Sequence, residues 1–271
     1  MIKNEKCETN VLLPLANPET SGLLIDLVNR LNKEETKVLL MKLVNKEEEK
    51  AEALALLDRK EKLLKETFIV SKQVRTEKRP DRGILKAARE CRAGYLVLGW
   101  HGNDVKNSDK GRVLDPILRK APCSVLIGKS LELISERPRQ ILVPLTGVKE
   151  SDVQALKTAE SLLDPVYGGR ITILYFNQSP IRLTHINFLM TEVLSRTNIR
   201  LDGIASNSEK PVKTTILQSR EFDVTVSGLI EPWLFRRGKA SFSERIALES
   251  TGAMIMVRTP RPVRSRINFF M

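Results

Sequence analysis

Short apolar runs alternate with longer amphipathic ones through most of the chain. Val11 to Leu15 predicts a strand, and the spacing after it predicts a helix over Pro18 to Leu31. The alternation continues with a strand Val38–Val44, a helix Glu47–Lys65, a strand Thr67–Val74 and a helix Pro80–Cys91. Tyr95–Gly99 predicts a fourth strand, Gly111–Lys120 a short helix, and Ser124–Gly128 a fifth strand. Further strands are predicted near 141–145, 170–176, 199–205, 223–228 and 253–258, with helices between them. Near-continuous apolar strands separated by helical segments predict an α/β fold, its parallel sheet covered on both faces.

The pattern repeats. "NVLLPLANPETSGLLIDLVNRL" near the start is echoed by "QILVPLTGVKESDVQALKTAESLL" from Gln140, so that Pro14 and Pro144 lie 130 residues apart. "GYLVLGW", with Gly99, is matched by "FDVTVSGL", with Gly228, at an offset of 129. The closing strand "CSVLIGK" is matched by "AMIMVRT". Three anchors at a nearly constant offset predict two related domains in tandem, 1–136 and 137–271, divided in the charged linker "KSLELISERPRQ".

Composition narrows the function. With 271 residues, 41% hydrophobic, the chain has material for two buried cores. It contains no apolar run long enough to span a membrane, and its polar start "MIKNEKCETN" predicts no secretory signal. Cys7, Cys91 and Cys123 are too scattered for a zinc site or a disulfide framework, which predicts a reducing cytosol. The net charge of +12 raises nucleic-acid binding as a possibility. Lys and Glu are interleaved along helices such as "NKEEEKAEALALLDRKEKLLKE", however, as on a solvated face. The one-sidedly basic segments "FRRGK" and "RTPRPVRSR" lack the spaced aromatics of a single-strand groove, so a solvated surface or an anionic-membrane neighbour is expected in preference to specific nucleic acid.

Ligands of open α/β sheets bind beyond the carboxyl ends of the strands, where the strand order reverses. If the first and fourth strands flank that point, "PLANPE" and "GWHGNDVKNSDKGR" meet there. Gly99, Gly102 and Gly111 could let backbone N–H groups approach a phosphate, and Gly111 opens a helix whose dipole favours anions. Turn formation alone also accounts for these glycines. No catalytic set is present: His101 and His185 are isolated, and neither a nucleophile elbow nor a Walker loop occurs. Trp233, Leu234, Phe235, Arg236 and Arg237 are either packed under the sheet or displayed to a partner. Ile186, Leu189, Met190 and Val193 form a helical stripe expected to cover the sheet.

"VLGWHGNDVKNSDKGRVLDPILRKAPCSVLIGK" resembles the C-terminal part of a universal stress protein domain, and the element order of both repeats is similar to that family. The resemblance implies five-stranded sheets in order 3-2-1-4-5, doubly wound, with face-to-face pairing of domains and ATP binding in many members. It also places candidate nucleotide contacts at Ala16, Val44, Gly99, Gly102, Gly111 and Arg112. Several of these depart from the family pattern. Eight residues rather than nine separate Gly102 from Gly111, and Arg112 stands where a small hydroxyl is usual. Ala16, and Thr146 in the second repeat, replace the aspartate that holds the nucleoside. Glu231 and Pro232 replace the second glycine of the later loop, where a carboxylate would repel phosphate. A lost nucleotide site is expected, with no cofactor and no catalysis.

The turn "VLLPLANPET" is similar to stress-protein-like domains fused to amino-acid/polyamine/organocation transporters, in particular the cytosolic half of prokaryotic cation–chloride cotransporters. This resemblance implies a regulatory, homodimeric module at the inner face of the cell membrane, in contact with a membrane-embedded partner. The alternative is a free-standing tandem stress protein that binds ATP.

Overall fold

The computed structural model describes residues 10–31, 35–100, 111–134, 138–164, 166–176, 183–192, 197–229 and 241–260. The first half runs β1 (Val11–Pro14), α1 (Pro18–Leu31), β2 (Lys37–Val44), α2 (Lys50–Glu61), β3 (Ile69–Thr76), α3 (Pro80–Glu90), β4 (Tyr95–Gly99), α4 (Gly111–Lys120) and β5 (Ser124–Lys129). The second half runs β6 (Gln140–Pro144), α5 (Lys149–Leu162), β7 (Gly169–Phe176), α6 (Leu183–Glu192) and β8 (Ile199–Ser206). It closes with α7 (Pro211–Ser219), β9 (Val224–Gly228), α8 (Phe242–Glu249) and β10 (Met254–Arg258).

The largest boundary differences from the sequence expectation lie in α2 and β3. The helix expected from Glu47 begins as a 3-10 turn, Glu47–Glu49, and α2 itself ends at Glu61. The third strand starts two residues late because Phe68, 7% exposed, plugs the core from the preceding turn; Ile69 is the first residue to pair, opposite Lys37.

Among the described residues ten strands form one sheet, in the order β3-β2-β1-β4-β5-β10-β9-β6-β7-β8. Each half thus has the expected 3-2-1-4-5 order, with parallel neighbours throughout. The fold is α/β and doubly wound in both halves. Successive strand residues point to opposite faces. Val11 and Leu13 enter one core cluster with α1, α5 and α6, while Leu12 enters the other with α3, α4 and α8. In β10, Ile255 and Val257 split from Met254 and Met256 in the same way. Ile186 and Leu189 of α6 are buried, as the helical stripe required; the side chain of Met190, and Val193, lie outside the described residues.

The face-to-face pairing implied by the resemblance is not what joins the halves. They meet edge to edge: β5 and β10 pair antiparallel, from Met254 opposite Lys129 to Arg258 opposite Val125. Each strand closes its half with an apolar edge whose backbone groups need partners, and mutual pairing satisfies both. A matching pair of side-chain contacts locks the seam. Lys129, at the end of β5, donates to the carbonyl of Ser250 ahead of β10 and, at 3.3 Å, to its hydroxyl. Arg258, at the end of β10, donates to the carbonyls of Ala121 (2.9 Å) and Cys123 (3.1 Å) ahead of β5. Lys129 and Arg258 are 129 residues apart, as are Ala121 and Ser250. The internal repeat therefore gives the seam a pseudo-twofold symmetry.

Candidate functional site

In the first half, β1 and β4 are neighbours and the order reverses between them, so the loops after Leu15 and Gly99 flank the switch point. The backbone after β1 is tied to the sheet by Leu15 N–H donating to Met41 O at 2.7 Å. Ala16 is exposed and presents only a methyl group. Its carbonyl accepts from Lys42 Nζ at 2.6 Å. Lys42 is half-buried in β2, and burial lowers its pKa from the ordinary lysine value. Val44, 6% exposed, ends β2, where its carbonyl accepts from Glu77 N–H at 3.0 Å. Gly99 ends β4 opposite Gly128, and Trp100 N–H continues the ladder to Gly128 O at 2.7 Å. Gly111 opens α4 as expected. Gly102, His101 and the side chain of Arg112 lie outside the described residues.

Ala16, Val44 and Gly99 thus sit together at the carboxyl ends of adjacent strands. Ala16 presents a methyl group where the resemblance implies a carboxylate, and its own carbonyl already accepts from the Lys42 ammonium. The sequence reading overlooked Lys42. It stood out only as one polar residue in an apolar strand.

The equivalent loop of the second half closes on an internal anion. Asp152, in the first turn of α5, is 0% exposed. One carboxylate oxygen accepts from Thr146 N–H at 2.9 Å and Thr146 Oγ1 at 2.7 Å, and the other accepts from Gly147 N–H at 3.0 Å. Gly147 supplies the left-handed conformation (φ 83°) that turns both N–H groups onto it. At the end of β9, the Gly228 carbonyl accepts from Ser243 Oγ at 2.6 Å. Ser151 packs against Gly228 so closely that an added Cβ would stand 2.8 Å from the Ser151 Cβ. The strand ends where a ligand would enter are therefore engaged by the protein's own groups. Trp233, Leu234, Phe235, Arg236 and Arg237 lie outside the described residues, as does the side chain of His185.

A cavity of about 510 Å3 opens at the seam. The first half contributes the start of α1, Gly99, Trp100 and the segment after β5, and the second half contributes the connection from α8 to β10. Ser130 takes the left-handed conformation (φ 50°, ψ 43°), unusual for a residue with a side chain, and folds the chain back over the sheet end. Leu131 then packs on Gly128, leaving no room there for a Cβ. Lys129 lines the cavity and burial lowers its pKa. Trp100 lines it too, with an indole N–H that is buried and has no acceptor among the described residues.

Among the described residues, no group of His, Cys, Asp and Glu has the geometry to hold a metal ion. Cys123 is a buried core residue, and burial pushes its thiol up to about 11. No helix among the described residues is long and apolar enough to cross a membrane.

Comparison with known proteins gives the class. Residues 24–129 match the universal stress protein family, so the chain carries a universal-stress-protein-like domain. No match was found among curated proteins. Among solved structures, a universal stress protein from Archaeoglobus fulgidus DSM 4304 superposes with a TM-score of 0.60 at 16% identity, covering 94% of this chain and 98% of that one. The cytoplasmic domain of a prokaryotic cation chloride cotransporter superposes with a TM-score of 0.61 at 15% identity, covering 92% of this chain and 95% of that one. At such identities the likeness establishes the fold.

Proposed function

We propose that this chain is a non-catalytic regulatory and assembly module of a secondary membrane transporter of the cation–chloride cotransporter type, with its nucleotide sites lost. The observation that carries this reading is the state of the two strand-end loops. In one, Ala16 has replaced a nucleoside-holding carboxylate and its carbonyl is taken by Lys42. In the other, Thr146 and Gly147 are closed on Asp152. The cotransporter domain whose fold matches nearly end to end supports the same reading. Residues 1–136 and 137–271 are its two domains. The module works as a homodimer beside the membrane-embedded part of the transporter, with Trp233, Leu234, Phe235, Arg236 and Arg237 as contact residues and the basic tail near anionic lipid.

A rival reading, an ATP-binding tandem stress protein, draws on the equally full match to such a protein. Isothermal titration with Mg-ATP at physiological salt decides between them. No heat at millimolar nucleotide is expected. Saturable heat that is abolished by Gly102→Asp overturns the loss of the site and makes ATP the regulator.

A further inference from the structure

We infer that the cavity at the β5–β10 seam is a binding site for a small organic anion, one carboxylate or phosphate group on an apolar body, held by Lys129 and by residues of both halves. The site shares Gly99 with the switch-point crevice but does not include Ala16 or Val44, and the inference does not rest on the transporter reading.

The charge of Lys129 is the first argument. Its ammonium has three donors, and Ser250 takes two of them through its carbonyl and hydroxyl, both neutral acceptors. Among the described residues no carboxylate comes within ion-pairing distance, so an anion entering the cavity meets a partly desolvated cation with a donor to spare. Burial has already lowered the Lys129 pKa, and an anionic neighbour would offset that cost. The second argument is the shape and lining. A volume of about 510 Å3 suits a metabolite-sized ligand. Leu23, Leu131 and Leu248 supply apolar wall, and Thr20 and Thr251 supply hydroxyls. Glu132, exposed at the rim, disfavours a polyanion such as a nucleoside triphosphate and limits the ligand to one anionic group. The third argument is construction: the left-handed Ser130 costs conformational energy, and what it achieves is the fold-back that forms the cavity wall.

Because the walls come from both halves, occupancy stabilises the seam, and the ligand acts by tying the halves together. The test uses the whole chain with phenylacetate and phenyl phosphate as probes and benzyl alcohol as the neutral control, read by titration calorimetry and thermal unfolding. At least one anion is expected to bind saturably and raise the unfolding temperature while benzyl alcohol does neither. Binding of phenylacetate alone identifies carboxylates as the ligands, and binding of phenyl phosphate alone identifies phosphate esters. Lys129→Met should weaken binding at least tenfold. Leu248→Trp, which narrows the cavity at its apolar wall and replaces neither Lys129 nor Ser250, should also weaken binding severalfold, so the site stays testable if the first variant folds poorly. Failure of both anions at millimolar concentration, equal binding of benzyl alcohol, or wild-type affinity in both variants overturns the inference.

Discussion

Asp152→Ala tests whether the second strand-end loop is held by an internal anion. The carboxylate is fully buried and accepts three hydrogen bonds of 2.7 to 3.0 Å. Truncation strips the acceptor from two backbone N–H groups and one hydroxyl. A deserted buried donor costs about 1–3 kcal/mol. Thr146 is half-buried and Gly147 exposed, so water recovers part of this and the low end applies to each. Losing a carboxylate from the first turn of α5 adds about 0.3–1 kcal/mol through the helix dipole. Relief of the desolvated charge works in the opposite direction. The net expectation is about 2–3 kcal/mol, read as a lower urea midpoint at unchanged slope. Asp152→Asn keeps one acceptor but can turn an NH2 donor towards a donor, so it should recover less than half of the loss. Acetate should restore stability to the Ala variant by re-entering the vacated position, and it should do nothing for wild type. A midpoint shift worth under about 0.5 kcal/mol, with unchanged exchange protection of the Thr146 and Gly147 amides, would refute the reasoning.

Other positions give equally definite outcomes. Gly228→Ala brings a Cβ to 2.8 Å from the Ser151 Cβ and 3.0 Å from its backbone, and should destabilise by about 1–3 kcal/mol in urea unfolding. Gly22→Ala, in α1 with nothing within 4 Å, should stabilise by up to about 1 kcal/mol in the same assay. Arg258→Met abandons two buried carbonyls and should cost about 2 kcal/mol, more than Lys129→Met, whose site is half-exposed. At pH 8 a thiol with a pKa of about 11 is almost wholly protonated, so iodoacetamide should leave Cys123 unmodified in the native protein, while half-buried Cys91 reacts before it; peptide mass mapping reads both.

The order of elements was legible because each half repeats a strong local signal. Val11–Pro14 and Gln140–Pro144 announce themselves by apolar runs ending at proline, and α1 by its stripe. Those patterns are written in the burial of each element, which sequence periodicity reports directly. The seam was not legible, because pairing of β5 with β10 joins residues about 130 apart and both strands read as ordinary buried strands. Lys129 and Arg258 looked like any basic residue at a strand end. Asp152 looked like one more acid in a helix first turn, and only the folded loop shows it to be the acceptor on which Thr146 and Gly147 close. Ala16 was legible as a missing carboxylate; that Lys42 reaches its carbonyl was not.

Joining the halves through β5 and β10 also constrains how the chain meets partners. The seam uses one edge of each half, so β3 and β8 are the outer edges of the described sheet. Both carry charge where a further strand would add. In β3, Lys72 pairs with Asp58 at 2.5 Å and Glu61 at 2.7 Å, and Arg75 pairs with Glu90. In β8, Asp202 pairs with Arg200 at 2.9 Å and with Arg170 at 3.3 Å. Adding a strand would crowd and desolvate these pairs, and surface ion pairs return too little to offset that. Self-association by sheet extension is therefore disfavoured at both ends, which leaves the helical layers and the strand-end loops as the surfaces for contact with another chain. Those loops also border the seam cavity, at Gly99 and Trp100 and again at the α8–β10 connection. A ligand that tightens the seam would thus change the surface these loops present, which couples the cavity to any partner that meets them.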